Sequence, residues 1–237
     1  MSFPNVLTHD PIEQIADDVF MVSGSVKLNA LLQFSRNMVI VRSNNELTLI
    51  NPVRLNDSEI RKLDELGEVK HLLRLGAFHG MDDPFYMDRY DAAFWCQPGG
   101  TTYTQPPIDH ELSEGGPLPF NDATLFCFKG TLEPECALLL PQAGNLLLTC
   151  DAIQNYGDYR NFNFLAKIIS PLVGFPKKTI IGPFWVKLMT PDGQSLKGEF
   201  TRLLSHPFDR LLAAHGTLLD QGAHQAVENA FAKMYPN

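Results

Sequence analysis

Several things are scarce in this chain, and each scarcity removes a class of protein. Only four of its 237 residues are cysteine (Cys96, Cys127, Cys136 and Cys150), and no two form a C-x-x-C pair. Zinc-ribbon and thioredoxin-type readings fall away on that count. Each cysteine sits in an apolar run, as expected of buried thiols in a reducing compartment. Basic residues are also few. The 19 Lys and Arg against 27 Asp and Glu leave a net charge of −8 with no basic cluster. Neither nucleic acid nor an anionic membrane surface is therefore expected as the main partner. Long apolar runs are missing too. The best candidate, FLAKIISPLVGFPKKTIIGPFWVKLM from Phe164, is broken by Lys167, Pro171, Pro176, Lys177, Lys178 and Pro183. A membrane-spanning helix needs ~20 consecutive apolar residues. The opening MSFPNVLTHDPIEQ lacks the basic and apolar regions of a secretory signal, so the expectation is a cytoplasmic protein.

What is present is an ordinary globular composition with α/β rhythm. Residues 19–24, 37–43, 47–52 and 69–75 read as strands, with a helix written between the last two. Asn56 can cap that helix and Glu59 stands three residues on, as in a capping box. Ile60, Leu63 and Leu66 share one face, and Gly67 ends it. A short helix from Asp83 to about Tyr90 precedes a strand at 92–96. Residues 97–121 read as a long surface loop that would set specificity. Strands at 123–130, 135–141 and 145–151 follow, the last two forming a hairpin over Gln142, Ala143 and Gly144. Leu196, Phe200, Leu203 and Leu204 mark an amphipathic helix, 210–214 a strand, and Ala223, Val227, Ala230, Phe231 and Met234 a terminal helix. No composition break or short repeat divides the chain, so one domain over 1–237 is expected. Strand–helix units and hairpins in both halves suit a four-layer sandwich, two sheets face to face with helices outside.

Three apolar strands run out into ligand-type residues: LLRLGAF into His79, NLLLTC into Asp151, RLLAA into His215. In α/β proteins such strand ends converge on one sheet edge, where ligands bind. Imidazoles and carboxylates brought together there suit a divalent zinc, iron or manganese. Asp151 stands out because an acid closing a near-continuous apolar strand is costly unless it is paired or caps a turn. Asp83 admits two roles. Directly before Pro84 it is a preferred helix cap, and beside His79 it is a candidate ligand. Asp82 reads as a first-turn or exposed acid, and Met81 as packing. Tyr156 and Arg160, just after DAIQN, stand where they can line the mouth of a pocket, with a surface position the simpler reading. His9, His71, His110, His206 and His224 carry no assignment.

The order IADDVFMVSG, MVIVRSNNELTLINP, the strand ending at His79, TCDAIQN and LLAAHGTLL resembles the metallo-β-lactamase superfamily over nearly the whole chain. INPVRL, LGEVKHLLRLGAFHG and WCQPGG resemble a divergent branch of it. The resemblance implies an αββα sandwich of metallo-β-lactamase type and a metal-dependent hydrolase. The family signature H-x-H-x-D-H is incomplete here. With His79 on its first position, Met81 and Pro84 replace two histidines and Asp83 falls on the aspartate. The family's later histidine also has no counterpart; Thr131, Glu133 and Glu135 are the nearest polar residues. What carries over is His79 as a ligand of one metal, Asp83 and His215 as ligands of another, and Asp151 as the bridge. Those four can hold at most one divalent metal well, with Asp83 or Asp151 as catalytic general base. The expected substrate is a small ester, amide, lactone or phosphoester. The alternative is a non-catalytic binding or structural protein with a decayed site. The stretch Phe164 to Met189 is expected to form a pocket wall or a homodimer contact.

Overall fold

The structure, a computed structural model, describes residues 3–236. Seven strands form the first sheet in sequential order: β1 (Glu13–Ala16), β2 (Val19–Lys27), β3 (Gln33–Ser43), β4 (Glu46–Ile50), β5 (Glu68–Arg74), β6 (Ala93–Cys96) and β7 (His110–Glu111). β1 to β4 pair antiparallel. The rest pair parallel, β4 to β5 across α1 (Asp57–Leu66) and β5 to β6 across α2 (Asp83–Tyr90). The second sheet contains β8 (Thr124–Cys127), β9 (Cys136–Leu140), β10 (Leu146–Thr149) and β13 (Arg210–Ala213), in the order β13-β10-β9-β8. β11 (Ile153–Asn155) and β12 (Thr179–Ile181) form a small antiparallel ladder. The remaining helices are α3 (Phe164–Leu172), α4 (Pro183–Met189), α5 (Lys197–Leu204) and α6 (Ala223–Met234). Among the described residues, no helix is long and apolar enough to cross a membrane.

Both faces of each sheet are covered, which is why the strands read as continuous apolar runs rather than alternating ones. In VFMV, Val19 and Met21 face the second sheet, while Phe20 and Val22 join Ile60 and Leu63 of α1 and Tyr86 of α2. In CALLL, Cys136, Leu138 and Leu140 line the core between the sheets, and Ala137 and Leu139 pack on Trp185, Phe200 and Val227 of the outer helices. The layers are therefore αββα, as expected. All four cysteines are free and buried.

The helix at Asn56 forms as its sequence specifies, since Asn56 Oδ1 accepts from the Ser58 and Glu59 amides, both at 3.0 Å. The capping box does not close. The Asn56 amide donates to His9 Nε2 at 2.9 Å, and Glu59 accepts instead from the Ile12 amide. The hairpin β9–β10 turns through a short 3-10 segment, Pro141–Ala143. β3 begins four residues earlier than the apolar pattern indicates, because Ser35, Arg36 and Asn37 are strand residues that are buried. The loop after β6 contributes Leu112 and Phe120 to the inter-sheet core and pairs β7 with β6, so it is more than surface.

Candidate metal centre

Register brings two of the candidate residues together. β10 and β13 are parallel neighbours with Thr149 opposite Ala213, so Asp151 and His215 emerge side by side, each two residues past the last pair. His79 arrives from the opposite sheet, in the loop after β5. The two sheets are tied at this end by Cys136 N donating to Leu75 O at 2.8 Å and Asn37 N to Ala214 O at 2.8 Å. Asn37 Nδ2 also donates to Ala213 O and Gly216 O, which fixes the turn carrying His215. That turn needs its glycine: Gly216 has φ +87°, and a Cβ there would lie 1.9 Å from Asn155 O. Gly182 is required for a similar reason, since a Cβ would meet Asp151 O at 2.3 Å.

His79, Asp151 and His215 form one cluster, their ligand atoms all within 4.8 Å of one another. His79 Nε2 lies 3.3 Å from Asp151 Oδ1 and 3.2 Å from Oδ2, and His215 Nε2 lies 3.1 Å from Oδ1. His215 Nδ1 lies 2.6 Å from Ser35 O. A carbonyl accepts only, so Nδ1 carries a proton there and Nε2 is the atom left to face the carboxylate. With acceptors at both nitrogens, the surroundings of His215 favour its protonated form. Burial pushes its pKa down, but Asp151 and the Ser35 carbonyl outweigh burial and hold it above the ordinary histidine value. Burial pushes Asp151 up, yet the two imidazoles hold it well below the usual carboxylate range. His79 is different. Burial outweighs the pull of Asp151 and lowers its pKa.

Asp83 does not join them. Its Oδ2 accepts from Arg74 Nε at 2.7 Å, and Arg74 Nη2 lies 2.6 Å away, both side chains buried. Nor does Asp83 cap its helix: Asp82 occupies the cap position, and no side-chain cap bond forms. The expectation of an exposed Asp82 is likewise corrected. Asp82 Oδ2 accepts from Arg36 Nη1 at 2.9 Å and the Arg54 amide at 3.1 Å, deep in the protein. Both acids therefore answer buried guanidinium groups that composition alone does not locate. Met81 lines the cleft above the cluster, and Pro84 lies in the first turn of α2.

The residues around the missing later histidine divide in the same way. Glu133 accepts from the Thr101 amide at 2.8 Å, and Thr131 bonds locally to Phe128 O. Glu135 reaches the site. Its Oε1 accepts from the Asp151 and Ala152 amides at 3.0 and 2.6 Å, and its Oε2 from Trp185 Nε1 at 2.7 Å. Burial, then the charge of Asp151, pushes its pKa well above the ordinary value. Glu135, Cys150 and Asp151 make a second potential donor group. Glu135 already accepts three N–H bonds, and burial pushes the Cys150 thiol up, so this group does not offer a metal a ready thiolate.

A cleft of about 500 Å³ opens over the cluster. Phe175, Gly182, Phe184, Trp185 and Leu188 line it, so the stretch from Phe164 does supply a wall. Of the two readings of Tyr156, the pocket one holds and the surface one does not: it is buried in that wall, where its hydroxyl donates to Gln154 Oε1 at 2.7 Å. Gln154 Nε2 in turn donates to Asp151 O. Arg160 stays outside, near Asp10 and Asp158.

Comparison with solved structures settles the architecture. A DIM-1 metallo-β-lactamase exposed to ceftazidime aligns over 98% of this chain and 100% of its own, with TM-score 0.68 and 9% identity. FIM-1 from Pseudomonas aeruginosa in its mono-zinc form aligns over 98% of both, with TM-score 0.65 and 11% identity. The chain has the metallo-β-lactamase fold. A metallo-β-lactamase from Erythrobacter litoralis agrees, with TM-score 0.61 and 13% identity over 94% of this chain and 92% of that one. No family sequence model matches the chain, and no curated protein sequence does. At these identities the likeness is one of fold, on which many chemistries are built.

The donor set fits a single divalent ion. Two imidazole nitrogens and a carboxylate converge, a combination that suits zinc, iron or manganese. His215 has the outer hydrogen bond typical of a ligating histidine, through Nδ1 to Ser35 O. His79 lacks one, because its Nδ1 is buried without a partner. A second ion does not fit at Asp83, whose charge is already met by Arg74.

Proposed function

We propose that this protein is a mononuclear metal-dependent hydrolase in which His79, Asp151 and His215 hold one divalent ion. The observation that carries the reading is the convergence of the three donors on a cleft, with His215 oriented by Ser35. Zinc is favoured among zinc, iron and manganese, since FIM-1 on the same fold is described in a mono-zinc form. An ion held there by His79, Asp151 and His215 would lower the pKa of a bound water toward neutrality and so supply the nucleophile. The chain's own residues do the rest. Ser35 O orients the His215 ring, and Glu135 fixes the backbone on which Asp151 sits. Trp185 and Tyr156 line the cleft beside the cluster. A water ionised in this way needs no separate base: Asp151, held well below the usual carboxylate range, serves as a ligand, and Asp83 is bound to Arg74 away from the cluster. The substrate class is a small ester, amide, lactone or phosphoester.

The alternative, a non-catalytic binding protein on the same fold, is favoured by one observation. Arg36 lies beside the cluster and donates from Nη2 to His79 O at 3.3 Å, and its positive charge opposes a cation there. Metal analysis of protein purified without chelator separates the two readings, repeated on His215→Ala and paired with a p-nitrophenyl acetate assay. About one metal per chain and measurable hydrolysis, both lost in the variant, support the hydrolase. Protein that takes up no zinc, manganese or ferrous iron on incubation supports the binding protein.

A further inference from the structure

The cleft over the cluster is chemically one-sided. Its floor carries His79, Asp151 and His215, while Phe34, Phe78, Met81, Phe175, Phe184 and Leu188 face it from the walls. Beyond the cluster, the charged residues among its described lining are Lys27 and Arg36, and Arg36 is committed to Asp82 and to His79 O. The apolar lining also does not stop at the mouth. Leu28, in the turn after β2, is 70% exposed, and Phe184 and Leu188, one turn apart on α4, are 53% and 59% exposed. Large side chains left in water forgo the gain of burial, so a continuous run of them from floor to rim marks a surface that a ligand covers. A compact polar ligand would fill the floor and leave the rim wet. Covering both requires an extended apolar group.

We propose that the substrate is an acyl compound, an ester or lactone with a flexible hydrocarbon chain. The chain lies along Phe184 and Leu188 while the hydrolysable head group reaches the cluster. The inference rests on the hydrolytic reading of that site and adds the chemical class of what it cleaves. The overall step is balanced by water alone: its hydroxyl bonds to the acyl carbon, the ester C–O bond breaks, and its remaining proton goes to the departing oxygen.

The chain half of the claim is measured without turnover. Straight-chain carboxylates from butanoate to octanoate are titrated calorimetrically into the full-length protein. Because the head group is constant, the slope of affinity against length reports the chain alone. Full burial predicts a dissociation constant falling about fourfold per added methylene. Replacing the exposed pair, Phe184→Ser with Leu188→Ser, flattens that slope. Leu172→Ser, at an equally apolar but separate exposed position on α3, leaves it unchanged. Absence of binding, affinity independent of length, or a slope abolished by Leu172→Ser and kept by the α4 double variant overturns the inference. Failure of the two claims is distinguishable. A retained slope without ester hydrolysis removes the hydrolase and keeps the acyl site, and hydrolysis with a flat slope does the reverse.

Discussion

Residues 79 to 83 feed two sites that answer the same problem, a buried negative charge, in opposite ways. Asp82 and Asp83 turn inward to Arg36 and Arg74, whose charge is permanent. His79 turns to Asp151, which is neutralised by imidazoles, groups that gain and lose protons near neutral pH. A carboxylate closed by a guanidinium group, whose charge is not lost near neutral pH, is a structural tie. A carboxylate closed by a protonated imidazole can exchange that proton for a metal ion without moving its neighbours. Sequence proximity hides the difference. Asp83 is four residues from His79, yet it belongs to the framework and not to the site.

The strongest way to break the comparison is at the tie. Asp83→Ala leaves the buried Arg74 guanidinium unpaired, and breaking such a pair costs about 3–5 kcal/mol. Urea unfolding should show that loss, while zinc uptake by the folded fraction stays at the wild-type level. If zinc uptake falls in proportion to occupancy of the folded state and further still, Asp83 is a ligand after all. A smaller effect is expected at Glu135, which joins the cluster to the cleft wall. Glu135→Gln places an amide N–H₂ against either the Asp151 and Ala152 amides or the Trp185 indole, so one side loses its acceptor. The expected loss is about 1–3 kcal/mol in unfolding. Zinc affinity falls by roughly 10–100-fold with it, the usual penalty for disturbing a ligand's support. Wild-type zinc affinity in that variant would leave Glu135 with a purely structural role.

Much of this was written in the sequence, and the part that was not has a physical reason. The αββα layering follows from runs such as VFMV and CALLL, apolar on both faces. The hairpin at Gln142 to Gly144 and the Asn56 cap are local signals, and local signals survive folding. Asp151 and His215 were legible because each closes a strand of the sheet, and parallel pairing of those strands then sets them side by side. Asp83 was misplaced because its partner Arg74 is fixed only once β5 and α2 pack together. The polar trio Ser35, Arg36 and Asn37 was the available signal left unused. Three polar residues leading into an apolar strand are costly to bury without partners. Here they supply the acceptor for His215, the guanidinium for Asp82 and the donor that pins the Gly216 turn. Glu135 was named only as a substitute for an absent histidine, and its role through Trp185 depends on α4, which sequence pattern did not resolve.

The central claim is that an ion takes the place of a titratable proton between His215 and Asp151. Zinc binding to the full-length protein, measured by calorimetry at pH 6 in two buffers of different ionisation enthalpy, tests it most directly. With His215 held above its ordinary pKa in the metal-free cluster, the account predicts one zinc per chain and net release of protons on binding. Asp83→Asn, wherever it remains folded, should release protons to the same extent as the wild type. Zinc binding with no proton release, or no zinc binding at all, would contradict it.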